Sequence, residues 1–175
     1  MLFLYILGGI LVLLILLAII APKNYHVQRS IVIDRSVSEV FNYIKFIKNQ
    51  DEWSPWKKRD PNMIQNFEGT DGEVGFISKW AGNKDVGTGE QEILTVHQND
   101  RIESKLRFLK PWKSESDAFI KTETSGNDQT KVTWGFSGKN KVPINIFMML
   151  YNVDKHVGKD FNEGLECLKE ILETK

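Results

Sequence analysis

Few side chains in this sequence are placed to do chemistry, and they are scattered. The three histidines, His26, His97 and His156, lie far apart, and no His-x-x-x-His or Cys-x-x-Cys spacing offers paired metal ligands. Cys167 is the single cysteine, so no intramolecular disulfide forms, and its position reads as helix packing. Glu90 and Glu92 share one strand face, but alternation against Gln91 and Ile93 turns them outward. A cyclase or hydratase needs a buried acid or base with a shifted pKa. The polar residues expected inside are instead Ser78, Gln91, Ser104 and Tyr151. Gly82 to Gly89 lacks the Gly-Lys-Ser/Thr of a phosphate loop and no helix follows it, which disfavours nucleotides. No catalytic residue, metal or cofactor is expected.

The elements that position these residues are easier to read. From Ile144 to Glu173, Phe147, Tyr151, Gly158, Phe161, Leu165, Leu168 and Leu172 recur at helical spacing, with charged residues opposite. Burying six large apolar side chains there would contribute roughly 10–15 kcal/mol as an upper bound. Gly158 and Gly164 on this helix imply a close approach or a space beneath it. Tyr25 to Ile33 reads as a strand. Ser36-Val-Ser-Glu39 is a capping box that opens a short helix from Val37 to about Tyr43. A second helical piece is expected from Phe46 to Trp53, stopped by Pro55. Six further strands follow, at Ile64–Glu68, Gly75–Ala81, Gly87–Val96, Arg101–Phe108, Ser114–Thr124 and Lys131–Gly138, punctuated by Gly, Asn and Asp turns.

Strand parity gives the inward face: Phe76, Ser78 and Trp80; Gln91 and Ile93; Ile102, Leu106 and Phe108; Val132, Trp134 and Phe136. With Trp53, Trp56, Phe147 and Tyr151 these are the expected ligand-binding residues. Two readings stay open, a pocket of roughly several hundred Å3 for an apolar ligand and a close-packed aromatic core. Trp53 and Trp56, three apart around Pro55, suit a cavity mouth, a membrane interface or a plug at one end of the sheet. Lys57, Lys58 and Arg59 beside them suit anionic headgroups or a solvated loop.

Leu2 to Ala21 carries no charge and no proline. At 1.5 Å per residue it matches a hydrocarbon core of about 30 Å. A cleaved signal would have a shorter apolar run, a cationic start and an Ala-x-Ala site, whereas this run ends Ala18-Ile-Ile-Ala21. Residues 1–22 therefore read as a single-pass anchor and 23–175 as one domain. Lys23, Arg29 and Arg35 after the span place that domain in the cytoplasm by the positive-inside rule. Only Pro22, Lys23 and Asn24 separate span from strand, which holds the domain close to the bilayer. With 23 basic and 23 acidic residues, the chain lacks the basic excess of a general nucleic-acid binder.

Strand, two small helices, six antiparallel strands and a long C-terminal helix is the helix-grip order, an α+β fold with a curved seven-stranded sheet around that helix. The chain resembles the SRPBCC superfamily (START-related lipid-transfer domains, the birch pollen allergen, aromatase/cyclases), in its bacterial polyketide cyclase/dehydrase-like branch. The residues that carry the resemblance are Arg29-Ser-Ile-Val-Ile33 with Val40-Phe41, Trp53-Ser-Pro-Trp56 and the run Gly75 to Gly89 around Trp80. Thr130-Lys-Val-Thr-Trp134 and Gly158-Lys-Asp-Phe161 through Lys169 complete it. The resemblance covers nearly all of Tyr25 to Lys175 and implies a shared cavity more than a shared reaction. Three functions stay open: binding of a hydrophobic small molecule or lipid, from the short tether and aromatic interior; a cyclase- or dehydratase-like activity, which the resemblance implies; and a regulatory interaction domain at the membrane if the cavity is closed.

Overall fold

Alternating apolar and polar residues generate seven strands: β1 (Asn24–Ile33), β2 (Ile64–Glu68), β3 (Ile77–Ala81), β4 (Thr88–His97), β5 (Arg101–Lys110), β6 (Ser114–Thr124) and β7 (Thr130–Lys139). A computed structural model of the chain describes residues 1–174, with the side chains of Ile144, Phe147 and Leu150 outside the described residues. The strands form one antiparallel sheet of order β1-β7-β6-β5-β4-β3-β2. α1 (Leu2–Ile20) precedes it, and α2 (Val37–Ile44), a 3-10 turn (Ile47–Asn49), α3 (Gln50–Trp53) and α4 (Pro55–Arg59) fill the first crossover. The Ser36 capping box is formed: Ser36 Oγ accepts from the Glu39 N–H, and the Glu39 carboxylate accepts from the Ser36 N–H at 3.1 Å. Pro55 does stop α3, but it also occupies the first turn of α4, where its missing N–H loses nothing.

The expected continuous C-terminal helix is two helices, α5 (Ile144–Leu150) and α6 (Val153–Thr174). Asn152 makes the break, since its Oδ1 accepts from the Lys155 N–H at 2.9 Å and caps α6. α6 buries Phe161, Leu165, Leu168 and Leu172 against the sheet, worth roughly 6–12 kcal/mol at most. Its two buried glycines mark close approach. A Cβ on Gly164 would stand 2.9 Å from the Trp134 ring, and one on Gly158 would occupy the place of the Arg29 guanidinium.

α1 is apolar throughout and buries no residue. It is long and apolar enough to cross a membrane. Among the described residues, side-chain amides tie its exit to the domain. The Asn145 amide, fully buried, donates to the Ala18 and Ala21 carbonyls at 2.8 and 3.4 Å. Asn140 donates to the Pro22 carbonyl through its side chain (3.3 Å) and to the Lys23 carbonyl through its backbone (2.8 Å). These groups satisfy carbonyls that a helix end otherwise leaves without partners.

An antiparallel sheet sorts its turns between two ends. The β3–β4, β5–β6 and β7–α5 connections fall at the α1 end, where Asn24 pairs with Lys139. The β1–α2, β2–β3, β4–β5 and β6–β7 connections fall at the far end. The close contact under α6 yields a test. Replacing Gly164 by Ala should lower the midpoint of urea unfolding, because over-packing against a ring costs about 1–3 kcal/mol and exceeds the ~1 kcal/mol gained in helix propensity. A raised midpoint would mean that Trp134 can withdraw.

Candidate functional site

The concave face of the sheet is built by strand parity in rows. One row runs Phe67, Ser78, Gln91, Leu106, Ser116, Gly138 and Tyr25 across all seven strands. The next row toward the α1 end holds Trp80, Gly89 and Phe108. Farther from α1, Trp134 lies between Arg29 and Ile120.

Around Trp134 the interior is filled. Its ring stacks on Phe161 at 4.2 Å between centroids and receives the edges of Trp53 (4.8 Å) and Trp56 (5.5 Å). Phe136 meets Phe161 edge-on at 5.7 Å. Trp53, Phe76, Ile93, Trp134 and Phe136 all lie in the buried core, with Trp56 partly buried against it. The enclosed space left here, beside Gln91, Ser104, Ile102 and Ile47, is about 10 Å3, the volume of roughly one water.

Nearer α1 the face is less covered. α6 begins at Arg29, whose guanidinium donates to both Asp154 carboxylate oxygens at 2.9 and 3.0 Å. It runs to Glu173, whose carboxylate accepts from the Asp34 N–H, so it overlies the far half of β1. Beyond its start, Tyr25, Trp80, Gln91, Leu106 and Phe108 are only partly buried. Trp80 and Phe108 meet edge to face at 6.0 Å. Buried hydroxyls of Ser78, Ser104 and Ser116 stand among them. Gln91 Nε2 donates to Ser104 Oγ at 3.3 Å, and the Tyr25 and Ser116 hydroxyls share a hydrogen bond of 2.7 Å. Burial, partly offset by the Ser116 bond, pushes the Tyr25 phenol up from its ordinary value, so it stays protonated at physiological pH.

Of the remaining sequence-derived residues, Tyr151 is exposed at the α5–α6 break and stacks on His156 at 4.6 Å. Phe147 lies outside the described side chains. Glu90 and Glu92 sit on the convex face and clasp Arg107 at 3.0 and 2.7 Å. Arg59 pairs with Asp160 of α6, and Lys57 donates to Gln65 of β2 at 2.9 Å, so these two cations tie α4 to its neighbours. Cys167 is partly buried on α6, where the Lys58 ammonium reaches its sulfur. Among the described residues no cluster of His, Cys, Asp and Glu could hold a metal. Tyr25 and Ser116 were not singled out from sequence, although their parity with Phe136 and Gly138 carried the signal.

No family model and no curated relative matches the sequence. The fold has solved counterparts. Norcoclaurine synthase from Thalictrum flavum superposes with a TM-score of 0.63 at 11% identity, covering 89% of this chain and 98% of that one. The Aha1 dimer structure from Colwellia psychrerythraea gives 0.58 at 18% identity, over 85% and 96% of the two chains. The di-domain ARO/CYC StfQ of the steffimycin biosynthetic pathway gives 0.62 at 12% identity, over 87% of this chain and 51% of its own. These likenesses show the helix-grip fold.

The Arg29–Asp154 clasp has a pH signature. Hydrogen bonds from Arg29 hold the Asp154 carboxyl below its ordinary 3.8. Its contribution is therefore complete above 3.8 and fades as pH falls through the lower folded value. Amide protection in the first turn of α6 should drop in that acid range, and Asp154→Asn should abolish the step; an unchanged profile in the variant would show that the clasp does not secure this turn.

Proposed function

We propose that this protein is a membrane-anchored helix-grip domain that binds a hydrophobic or amphipathic small molecule, with lipids as the leading class, on the α1-end half of its concave face. The observation that carries the reading is the set of partly exposed Tyr25, Trp80, Leu106 and Phe108 above the buried hydroxyls of Ser78, Ser104 and Ser116. Large apolar side chains with a few convergent polar groups are the usual composition of a small-molecule site. The polar groups there are hydroxyls and amides, suited to orienting a ligand. Two of the structural counterparts are named for small-molecule biosynthesis, a synthase and an ARO/CYC, which supports an occupant of that size.

Reading α1 as an anchor is supported by its 19 uncharged, strongly apolar residues taken together, with none buried. It is also supported by the Asn140 and Asn145 amides that hold its exit. Loss of α1 as a cleaved leader would remove both carbonyl acceptors of the Asn145 amide. An anchored domain draws from the adjacent bilayer, so local capture and presentation fit better than shuttling between membranes.

A second reading is favoured by one observation. The space left beside Trp134, between the sheet and the first crossover at Ile47 and Gln50, is only about 10 Å3, as in a closed domain that works through its surface on a membrane partner. Native mass spectrometry of the full chain, released from its host membranes in lipid discs, separates the two. An adduct in the lipid or polyketide mass range is expected, and Trp80→Ala or Phe108→Ala should weaken its retention about tenfold, the equivalent of ~1.4 kcal/mol. A bare chain that takes up no added lipid would refute the binding reading and leave the interaction domain.

A further inference from the structure

The α1 end of the sheet has a chemistry of its own. The β5–β6 hairpin carries Trp112 at its tip, 76% exposed, with Leu109 46% exposed beside it. Of the remaining tryptophans, Trp53 and Trp134 are buried, and Trp56 and Trp80 are partly so. Register places the hairpin tip. Ser116 pairs with Gly138, and Gly138 with Tyr25. Four residues outward from Ser116 is Trp112, and four outward from Tyr25 is Ala21, where α1 ends. The tip therefore stands level with the exit of α1, two strands away, or roughly 10 Å across the sheet.

Charge is sorted along the same axis. Lys23, Lys110, Lys113, Lys139 and Lys141 are all exposed at the α1 end, with Lys84 and Asp85 in the β3–β4 turn, Asp60 against that turn and Glu115 on β6. The far-end connections carry Asp34, Asp71, Glu73, Asp100 and Asp128 against Arg35, with Lys45 and Lys48 of the first crossover beside Asp71 and Gly72. A chain that is neutral overall thus carries an excess of cations at the α1 end and an excess of acids in its far-end connections. Exposed Val142 and Met149 add apolar surface on the connection to α5 and on α5 itself.

We propose that the α1 end of the domain is a membrane-docking surface: Trp112 enters the interfacial layer while Lys23, Lys110, Lys113, Lys139 and Lys141 bind the headgroups of anionic lipids. Tryptophan's amphipathic ring favours that layer, and juxtamembrane lysines are drawn to anionic leaflets. Continuity with α1 identifies the occupant. The span ends at the same level as Trp112, and Asn140 and Asn145 fasten its exit to the domain. Docking would also turn the partly exposed aromatic half of the concave face toward the bilayer. This inference rests on α1 being an anchor but not on any ligand in the grip.

The test uses the full chain in vesicles of phosphatidylcholine, with and without phosphatidylglycerol, whose acyl chains are brominated near the headgroup. α1 has no tryptophan, so quenching reports the domain. In a Trp80→Phe background, which removes the tryptophan of the grip, quenching is expected, stronger with phosphatidylglycerol, and lost when Trp112→Phe is added. Changing Lys110, Lys113, Lys139 and Lys141 together to Gln should erase the difference between the two lipids, as should high salt. Quenching that survives Trp112→Phe, or its absence in a chain that alkaline carbonate leaves in the vesicles, would overturn the docking surface alone. The second outcome is also the one expected if this end meets a protein, since no protein partner is present. A chain that carbonate strips from the vesicles would overturn both the docking surface and the anchor, leaving ligand binding by the grip to the mass-spectrometric test.

Discussion

The structure depends on how near α6 lies to the sheet at Trp134. Gly164 offers no Cβ, so the indole comes up to the helix backbone and stacks on Phe161 one turn earlier at 4.2 Å. Stacking of this kind contributes about 0.5–1.5 kcal/mol beyond area burial. The consequences for packing are larger. Trp53 and Trp56 present their edges to the same ring, which draws α3 and α4 onto α6 and seals the far half of the grip. The less covered part of the concave face then lies toward α1, beyond the start of α6.

Much of this was legible from parity. The seven strands needed only alternation and turn residues, and the inward set of Trp80, Gln91, Phe108, Trp134 and Phe136 follows from period two. The break between α5 and α6 was not legible, because apolar spacing continues through Phe147, Tyr151 and Phe161 while the cap is a single Asn152 side chain. Pro55 signals a stop and a start equally well, and local sequence does not choose between them. The glycines of α6 had two meanings, a space or a close approach. Only the positions of Arg29 and Trp134 decide for close approach. Whether aromatic residues pack or line a cavity likewise depends on how far a helix stands from a sheet, a distance no residue pattern encodes.

The sorting of charge has a different origin. A net charge of zero conceals it, and no stretch of sequence is strongly basic or acidic. Separation arises because a meander returns each second connection to the same end, so lysines distant in sequence gather beside α1 and the acids gather opposite. Trp112, alone in a turn, belongs to no periodic pattern and gains meaning only from the level at which its hairpin ends.

That separation matters because the domain is fastened rather than tethered. With α1 in a bilayer as proposed, a flexible linker would let either end of the sheet face it, and the distribution of charge would then carry little weight. Here the carbonyls of Ala18, Ala21, Pro22 and Lys23 are held by Asn140 and Asn145, so the direction in which α1 leaves also fixes which surface faces its surroundings. The surface so fixed holds the lysines, the exposed indole and the open half of the grip together. The acids stand at the other end of the same strands, about 30 Å away for a ten-residue strand, beyond the Debye length at physiological salt. Attraction at one end is therefore not cancelled by repulsion at the other, and a neutral chain can still hold one face against an anionic layer.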